Sequence, residues 1–192
     1  MESRYRILVV CTGNICRSPF AERLLRARLD ERFGADAARI EVTSAGTWGL
    51  VGEPMMAESA QTLVRFGGDP AGFAARALSE EQIEQADLVL ALTRDHRGDV
   101  VMMVPRAAAR TVTLREYARL LGAVTKEDLV GSGPDPIERF RAITAAAFSR
   151  RGLVPIDDPA DDDVPDPFGG AMSGYERAAT LIDRALEVPL SL

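Results

Sequence analysis

Tyr5-Arg6-Ile7-Leu8-Val9-Val10-Cys11-Thr12-Gly13-Asn14-Ile15-Cys16-Arg17-Ser18-Pro19 joins a short apolar segment to a turn and then to a helix start. Residues 5–10 are apolar and rich in β-branched side chains, the pattern of a parallel strand buried on both faces. Residues 11–18 form the turn, and Pro19 suits a first helical turn, where no backbone N–H is needed. Residues 20–33 then set Leu24, Leu25 and Leu29 on one helical face, and Gly34 ends the helix.

Outward from this unit the alternation repeats. Residues 39–43 read as a second strand, and 54–66 as a helix stopped by Gly67 and Gly68. Ser79 with Gln82 forms a capping box for a short helix. Residues 88–92 make an apolar central strand, Thr93 caps the next helix, and 110–114 make a fourth strand. Ser173 and Glu176 form a second capping box, opening a last helix that reaches about Val188. Strands alternating with helices predict an α/β fold of three layers, a four-stranded parallel sheet with helices on both faces.

Two segments break the rhythm. Residues 122–155 carry Gly131-Ser132-Gly133-Pro134 and then a helix over 137–151, so they read as an inserted helical segment within one domain spanning 1–192. Residues 156–170 hold Asp157, Asp158, Asp161, Asp162, Asp163 and Asp166 among Pro159, Pro165 and Pro167. That composition predicts a loop without regular structure, most of its aspartates solvated and idle.

Composition narrows the function. At 46% hydrophobic, a chain of 192 residues can bury a substantial core. A net charge of -6 excludes nucleic acid as the main partner, because backbone binding needs a basic face. No apolar run approaches a membrane span, so no membrane insertion is expected. The run 7–10 is too short for a signal-peptide core, and a cytoplasmic location is expected. Two cysteines, Cys11 and Cys16, are too few and too close for a secreted disulfide scaffold.

The chemistry sits in Cys11-Thr12-Gly13-Asn14-Ile15-Cys16-Arg17-Ser18, where five residues separate Cys11 from Arg17. The cysteine ends a buried strand and a helix opens beyond the arginine. In an open parallel sheet this is the carboxyl edge, where ligands bind. A loop wrapped over a helix N-terminus aims backbone N–H groups at one point and makes an anion nest. Gly13 and Asn14 tolerate the positive φ such a loop needs. Arg17 adds a planar fork of donors for a phosphate dianion. The same positive field favours the Cys11 thiolate as a nucleophile, and Ser18 can donate a hydrogen bond to it. A buried cysteine after a strand is more often a small hydrophobe, and Cys-x4-Cys alone could be half a metal site. A metal site lacks further ligands: the one histidine, His96, lies among charges and reads as a solvated helix residue. No metal and no cofactor is expected.

Residues 11–19 resemble the signature of low-molecular-weight protein tyrosine phosphatases throughout. Ser44-Ala45-Gly46-Thr47 resembles that family's second recurring segment, and Asp166-Pro167-Phe168-Gly169 its aspartate loop. The likeness covers 5–114 and 164–188, and it implies a flavodoxin-like fold and a metal-independent hydrolysis through a cysteinyl-phosphate. By that resemblance Cys11 is the nucleophile, Arg17 binds the phosphate with the backbone of 12–18, and Asp166 is the general acid. It also makes Asn14 and Ser18 shape the loop, Ser44 support Asn14, and Cys16 a partner for a protective disulfide with Cys11. Trp48 and Phe168 would flank the substrate ring, with Phe168 standing where tyrosine is common. Read from composition alone, a lone tryptophan is more often core. Phosphotyrosine proteins or small aryl phosphates are the implied substrates.

Three departures from the family carry expectations. Phe73, in Phe73-Ala74-Ala75-Arg76-Ala77-Leu78, replaces a histidine that helps hold the loop asparagine, which predicts a looser Asn14. The insertion 122–155 is expected to rim the active site or to offer a surface to a protein partner. The acidic loop, if near the mouth, would favour basic or small substrates over acidic ones. Rival readings are arsenate reduction, protein arginine phosphatase and a non-catalytic phosphate-binding relative. Residues 79–100 contain no cysteine for a reductase relay. The arginine phosphatases carry threonine where Ile15 stands, and retention of Cys11, Arg17 and Asp166 argues for catalysis.

Overall fold

The computed structural model describes residues 4–131 and 133–191; Ser132 of the sequence Gly131-Ser132-Gly133-Pro134 lies outside them. Four strands, β1 (Tyr5–Cys11), β2 (Ile40–Gly46), β3 (Leu88–Ala91) and β4 (Thr111–Thr113), form one sheet in the order β2-β1-β3-β4. All three pairings are parallel. The first strand runs one residue further than its apolar pattern, so Cys11 is its last member, in register with Gly46.

Alternation along β1 splits the core into two layers. Ile7, Val9 and Cys11 face a large cluster with α1 (Arg17–Phe33), α5 (Leu114–Leu121), α6 (Pro136–Ser149) and α7 (Met172–Ser191). Leu8 and Val10 face a smaller cluster with α3 (Glu80–Gln85) and α4 (Arg94–Met103). The expected three-layer, flavodoxin-like α/β architecture is present. Helix α2 (Ala57–Arg65) packs beside α1 and α7 and begins three residues later than expected. No helix of the described residues is long and apolar enough to cross a membrane.

The caps at Ser79 and Thr93 form as read: Ser79 and Gln82 exchange both bonds, and Thr93 Oγ1 accepts from the His96 N–H. The cap at Ser173 does not. Helix α7 already begins at Met172, and Glu176 pairs with Arg65 at 2.9 Å instead of folding back. Pro159–Asp162 makes a short 3-10 turn inside the acidic loop, capped by the Asp158 side chain.

The segment 122–155 does not rim the catalytic edge. Thr144 of α6 lies 2.9 Å from the Tyr5 hydroxyl and 2.8 Å from that of Tyr117. Tyr5 opens β1, so α6 covers the opposite end of the sheet, with Ile137, Phe140, Ile143 and Ala147 in the main core. The segment is a piece of that core rather than an appendage.

Candidate active site

The loop between β1 and α1 is held from outside by its carbonyls. Cys11 O accepts from Thr47 N at 2.9 Å, Thr12 O from Trp48 N at 2.9 Å, and Gly13 O from Leu50 N at 3.0 Å. Ile15 O accepts from Met56 N at 2.9 Å, and Cys16 O from Ser59 Oγ at 3.0 Å. In a trans peptide the N–H points opposite to the C=O of the same plane. The N–H groups of Thr12, Gly13, Asn14, Cys16 and Arg17 therefore turn to the inner side, which is the geometry of an anion nest. Gly46 permits this closeness, because a Cβ there would lie 2.3 Å from Thr12 O.

Asn14 is the one non-glycine residue of positive φ (55°) among the described residues, and it is fully buried. Its Nδ2 donates to Ser18 Oγ and to Ser44 Oγ, both at 2.8 Å. Its Oδ1 accepts from Arg76 N at 2.8 Å. Ser44 Oγ in turn donates to Glu22 Oε2 at 2.6 Å, and Arg76 Nη2 reaches the same oxygen at 3.0 Å. The looseness expected from Phe73 is thus absent: both ends of the Asn14 amide are tied, and Glu22 with Arg76 closes the network. Phe73 is buried beneath the Arg23 guanidinium, 5.6 Å from ring centroid to carbon.

Cys11 and Cys16 are buried free thiols, and Cys11 Sγ lies 2.9 Å from Ser18 Oγ. Burial, with Cys11 and then Asp166 nearby, pushes the Cys16 thiol up to about 12. Arg17 is buried; its Nη1 donates to Val164 O at 3.1 Å and its Nη2 pairs with Asp166 Oδ2 at 2.8 Å. Its Nε is buried and has no hydrogen-bond partner among the described residues.

These groups line a cavity of about 220 Å³ with Thr12, Gly13, Ile15, Cys16, Trp48, Leu50 and Phe168. Trp48 is 80% exposed and Phe168 60%, so neither is core, and both stand at the wall. An apolar slot ending in convergent N–H donors, a guanidinium and a thiol suits an aromatic phosphate ester and an in-line attack at phosphorus. Among the described residues no three His, Cys, Asp or Glu side chains cluster as metal ligands.

Several supports were not legible in advance. His96 is 5% exposed, not solvated: its Nε2 lies 2.8 Å from Thr12 Oγ1 and its Nδ1 2.9 Å from Thr93 Oγ1. Burial, then the nearby Arg17, pushes its imidazole down to about 4. The acidic loop is not idle either. Asp162 is buried against Arg119 at 2.8 Å, and Asp163 pairs with Arg94 at 3.0 Å. These pairs hold the loop that presents Asp166, and they offset two of its six carboxylates.

The family model for low molecular weight phosphotyrosine protein phosphatase matches residues 6–146. The chain is 40% identical over 111 residues to the low molecular weight protein-tyrosine-phosphatase Etp of Escherichia coli K12, covering 58% of this chain and 70% of that one. It is 34% identical over 138 residues to a protein-arginine-phosphatase of Geobacillus stearothermophilus, covering 72% and 85%. In structure it is similar to a low molecular weight protein tyrosine phosphatase from T. tengcongensis, with a TM-score of 0.68 at 26% identity over 97% and 98% of the two chains.

Proposed function

The chain belongs to the low molecular weight phosphotyrosine protein phosphatase family, whose members are cysteine-dependent, and on that premise we propose how its own residues hydrolyse phosphotyrosine. Cys11 attacks phosphorus as the thiolate, the P–O bond to the phenol breaks, and Asp166 gives its proton to the departing oxygen. The inward N–H groups of 12–18 and the Arg17 guanidinium take the phosphoryl oxygens throughout. Water then attacks the cysteinyl-phosphate, Asp166 takes the proton, and phosphate leaves. Ser18 and Asn14 hold the thiolate and the loop, Ser44 supports Asn14, and Trp48 with Phe168 flanks the ring.

One observation carries this reading: Cys11, Arg17 and Asp166 meet in a single apolar cavity, with Arg17 bridging from the loop to Asp166 at 2.8 Å. A phosphate in the nest competes for that guanidinium and frees Asp166 toward the leaving group. A cytoplasmic enzyme whose Cys11 is guarded by Cys16 completes the proposal. Arginine phosphatase is the second reading, favoured by the relative of that name. Ile15 weighs against it, since its apolar side chain lines the slot where a guanidinium would need polar partners. Phosphate release from phosphotyrosine peptides, phosphoarginine and small aryl phosphates, without added metal, decides between them. Preference for phosphoarginine, or no release at all, would overturn the main reading.

A further inference from the structure

His96 is the one histidine of the chain, and the chemistry above makes no use of it. Each of its ring nitrogens faces a threonine hydroxyl. Thr93 Oγ1 accepts the backbone N–H of His96 at 3.3 Å, capping α4. The same hydroxyl lies 2.9 Å from His96 Nδ1 and can donate its hydrogen there. An imidazole that accepts at Nδ1 carries its proton at Nε2. In that tautomer the Nε2–H donates to Thr12 Oγ1 at 2.8 Å. Burial keeps the ring neutral, which preserves the acceptor nitrogen that this chain of bonds requires. At its end Thr12 has one lone pair occupied and its own hydrogen free, since the hydroxyl has no other partner among the described residues.

Thr12 is exposed and stands at a junction. It lines the slot over Cys11, and it also lines an acidic groove of about 440 Å³ that runs past Trp48, His96 and the carboxylates of Asp95, Asp99, Asp163 and Asp166. A phenyl phosphate fills the slot. The groove is left for whatever the ring is attached to. A small aryl ester has nothing to place there, whereas a phosphotyrosine within a polypeptide brings a backbone carbonyl at every residue.

We infer that this groove is the subsite for the polypeptide beside the phosphotyrosine, and that Thr12, its hydroxyl aimed by His96, donates to a backbone carbonyl of that chain. This rests on the phosphatase reading and narrows its substrates to phosphotyrosine in proteins rather than small aryl phosphates. His96 is then a positioning residue: it acts through Thr12 and touches no reacting atom.

The test compares kcat/KM for a phosphotyrosine peptide and for p-nitrophenyl phosphate. His96→Leu should lower the peptide-to-aryl ratio about tenfold, mainly through the peptide KM, the range for one lost hydrogen bond. His96→Gln, whose amide nitrogen falls near the Nε2 position, should restore the ratio to within about threefold. Thr12→Val should lower the ratio as His96→Leu does, and the double variant no further. Nitrogen NMR of the single imidazole should show the Nε2–H tautomer. An unchanged ratio in His96→Leu, with p-nitrophenyl phosphate still turned over, overturns the subsite; an Nδ1–H ring overturns the aimed donor. If His96→Leu does not fold, Thr12→Val and the tautomer decide the matter. Wild-type protein that turns over neither substrate would instead refute the phosphatase reading beneath.

Discussion

Ser18 Oγ lies 2.9 Å from Cys11 Sγ, and among the described residues the sulfur is the one acceptor within reach of its hydroxyl hydrogen. Asn14 Nδ2 can only donate, and it already occupies the Ser18 oxygen at 2.8 Å. The amide itself cannot turn over, because Arg76 N–H holds its oxygen and Ser44, committed to the Glu22 carboxylate, must accept from its nitrogen. A buried carboxylate thus sets the direction of each bond back to the thiol.

The first prediction follows from that direction. Ser18→Ala removes a hydrogen bond to a developing thiolate, a charged acceptor worth about 1.5–3 kcal/mol. The pH profile of Cys11 alkylation by iodoacetate should move to higher pH by roughly one unit or more, and kcat should fall at least about tenfold. A profile that stays in place would mean that the backbone nest alone governs the sulfur.

Thr144 carries a prediction about α6. Both buried phenols, Tyr5 and Tyr117, end on its hydroxyl, and burial drives both to titrate far above the usual tyrosine range. Thr144→Val keeps the shape and leaves both phenols short of a partner. A loss of about 2 kcal/mol in urea unfolding is expected, with kcat/KM within about twofold of wild type. Full stability in this variant would mean that the two phenols need no partner at Thr144.

What the sequence disclosed and what it hid divide along one line. Chemistry confined to a contiguous stretch was legible: strand, cysteine, glycine, asparagine, arginine and helix lie in order over residues 5–33, each with a local physical reason. Pairings across long separations were not. Thr12 and His96 are 84 positions apart, and the neighbours Arg94, Asp95 and Arg97 give the local pattern of a solvated helix. Asp162 reads as one acid in a run until Arg119, 43 positions earlier, buries it. Glu22 did leave a signal. It shares a helical face with Ser18, Leu25 and Leu29, all buried, and a carboxylate on such a face requires a partner.

His96 also links stability to pH. Its imidazole falls from the usual 6.5 to about 4 through burial and Arg17, with Asp99, Asp166 and Asp95 opposing. Between those values the unfolded chain binds a proton that the native state refuses, so stability rises with pH across the window and is lost on acidification. One such proton is worth about 1.4 kcal/mol per pH unit. Urea midpoints at pH 4.5, 5.5 and 6.5 should fall more steeply for wild type than for His96→Gln. Parallel curves would mean that the ring titrates alike in both states.

Oxidation should separate the two cysteines. Peroxide converts the Cys11 thiolate to a sulfenic acid, and the Cys16 thiol can displace water from it to form a disulfide. Because the Cys16 thiol is pushed up to about 12, that closure should be slow at neutral pH and quicken as pH rises. Dithiothreitol should restore the oxidised wild type but recover Cys16→Ala poorly, since its sulfenic acid is left open to further oxidation. Equal recovery would leave Cys16 a structural residue.

Asp166 makes the sharpest case, because its partner is the leaving group. It is about half exposed, it pairs with Arg17 at 2.8 Å, and its Oδ1 also accepts from Phe168 N at 3.2 Å. Those contacts set the carboxyl over the mouth of the cavity rather than in the nest. A phenolate leaves poorly at neutral pH unless it is protonated as it departs, and a placed acid typically contributes about 100- to 10,000-fold. Asp166→Asn keeps the contacts in outline but has no proton to give. Phosphotyrosine hydrolysis should therefore fall by that range. The burst that reports attack by Cys11 should slow far less for p-nitrophenyl phosphate, whose phenolate leaves unaided. The later step, hydrolysis of the cysteinyl-phosphate, should slow for both esters alike, because each passes through the same intermediate and has lost the same base. If the burst instead slows equally for both leaving groups, the acid is another aspartate. Asp157, Asp158 and Asp161 would then be tested first, since Asp162 and Asp163 are already engaged with Arg119 and Arg94.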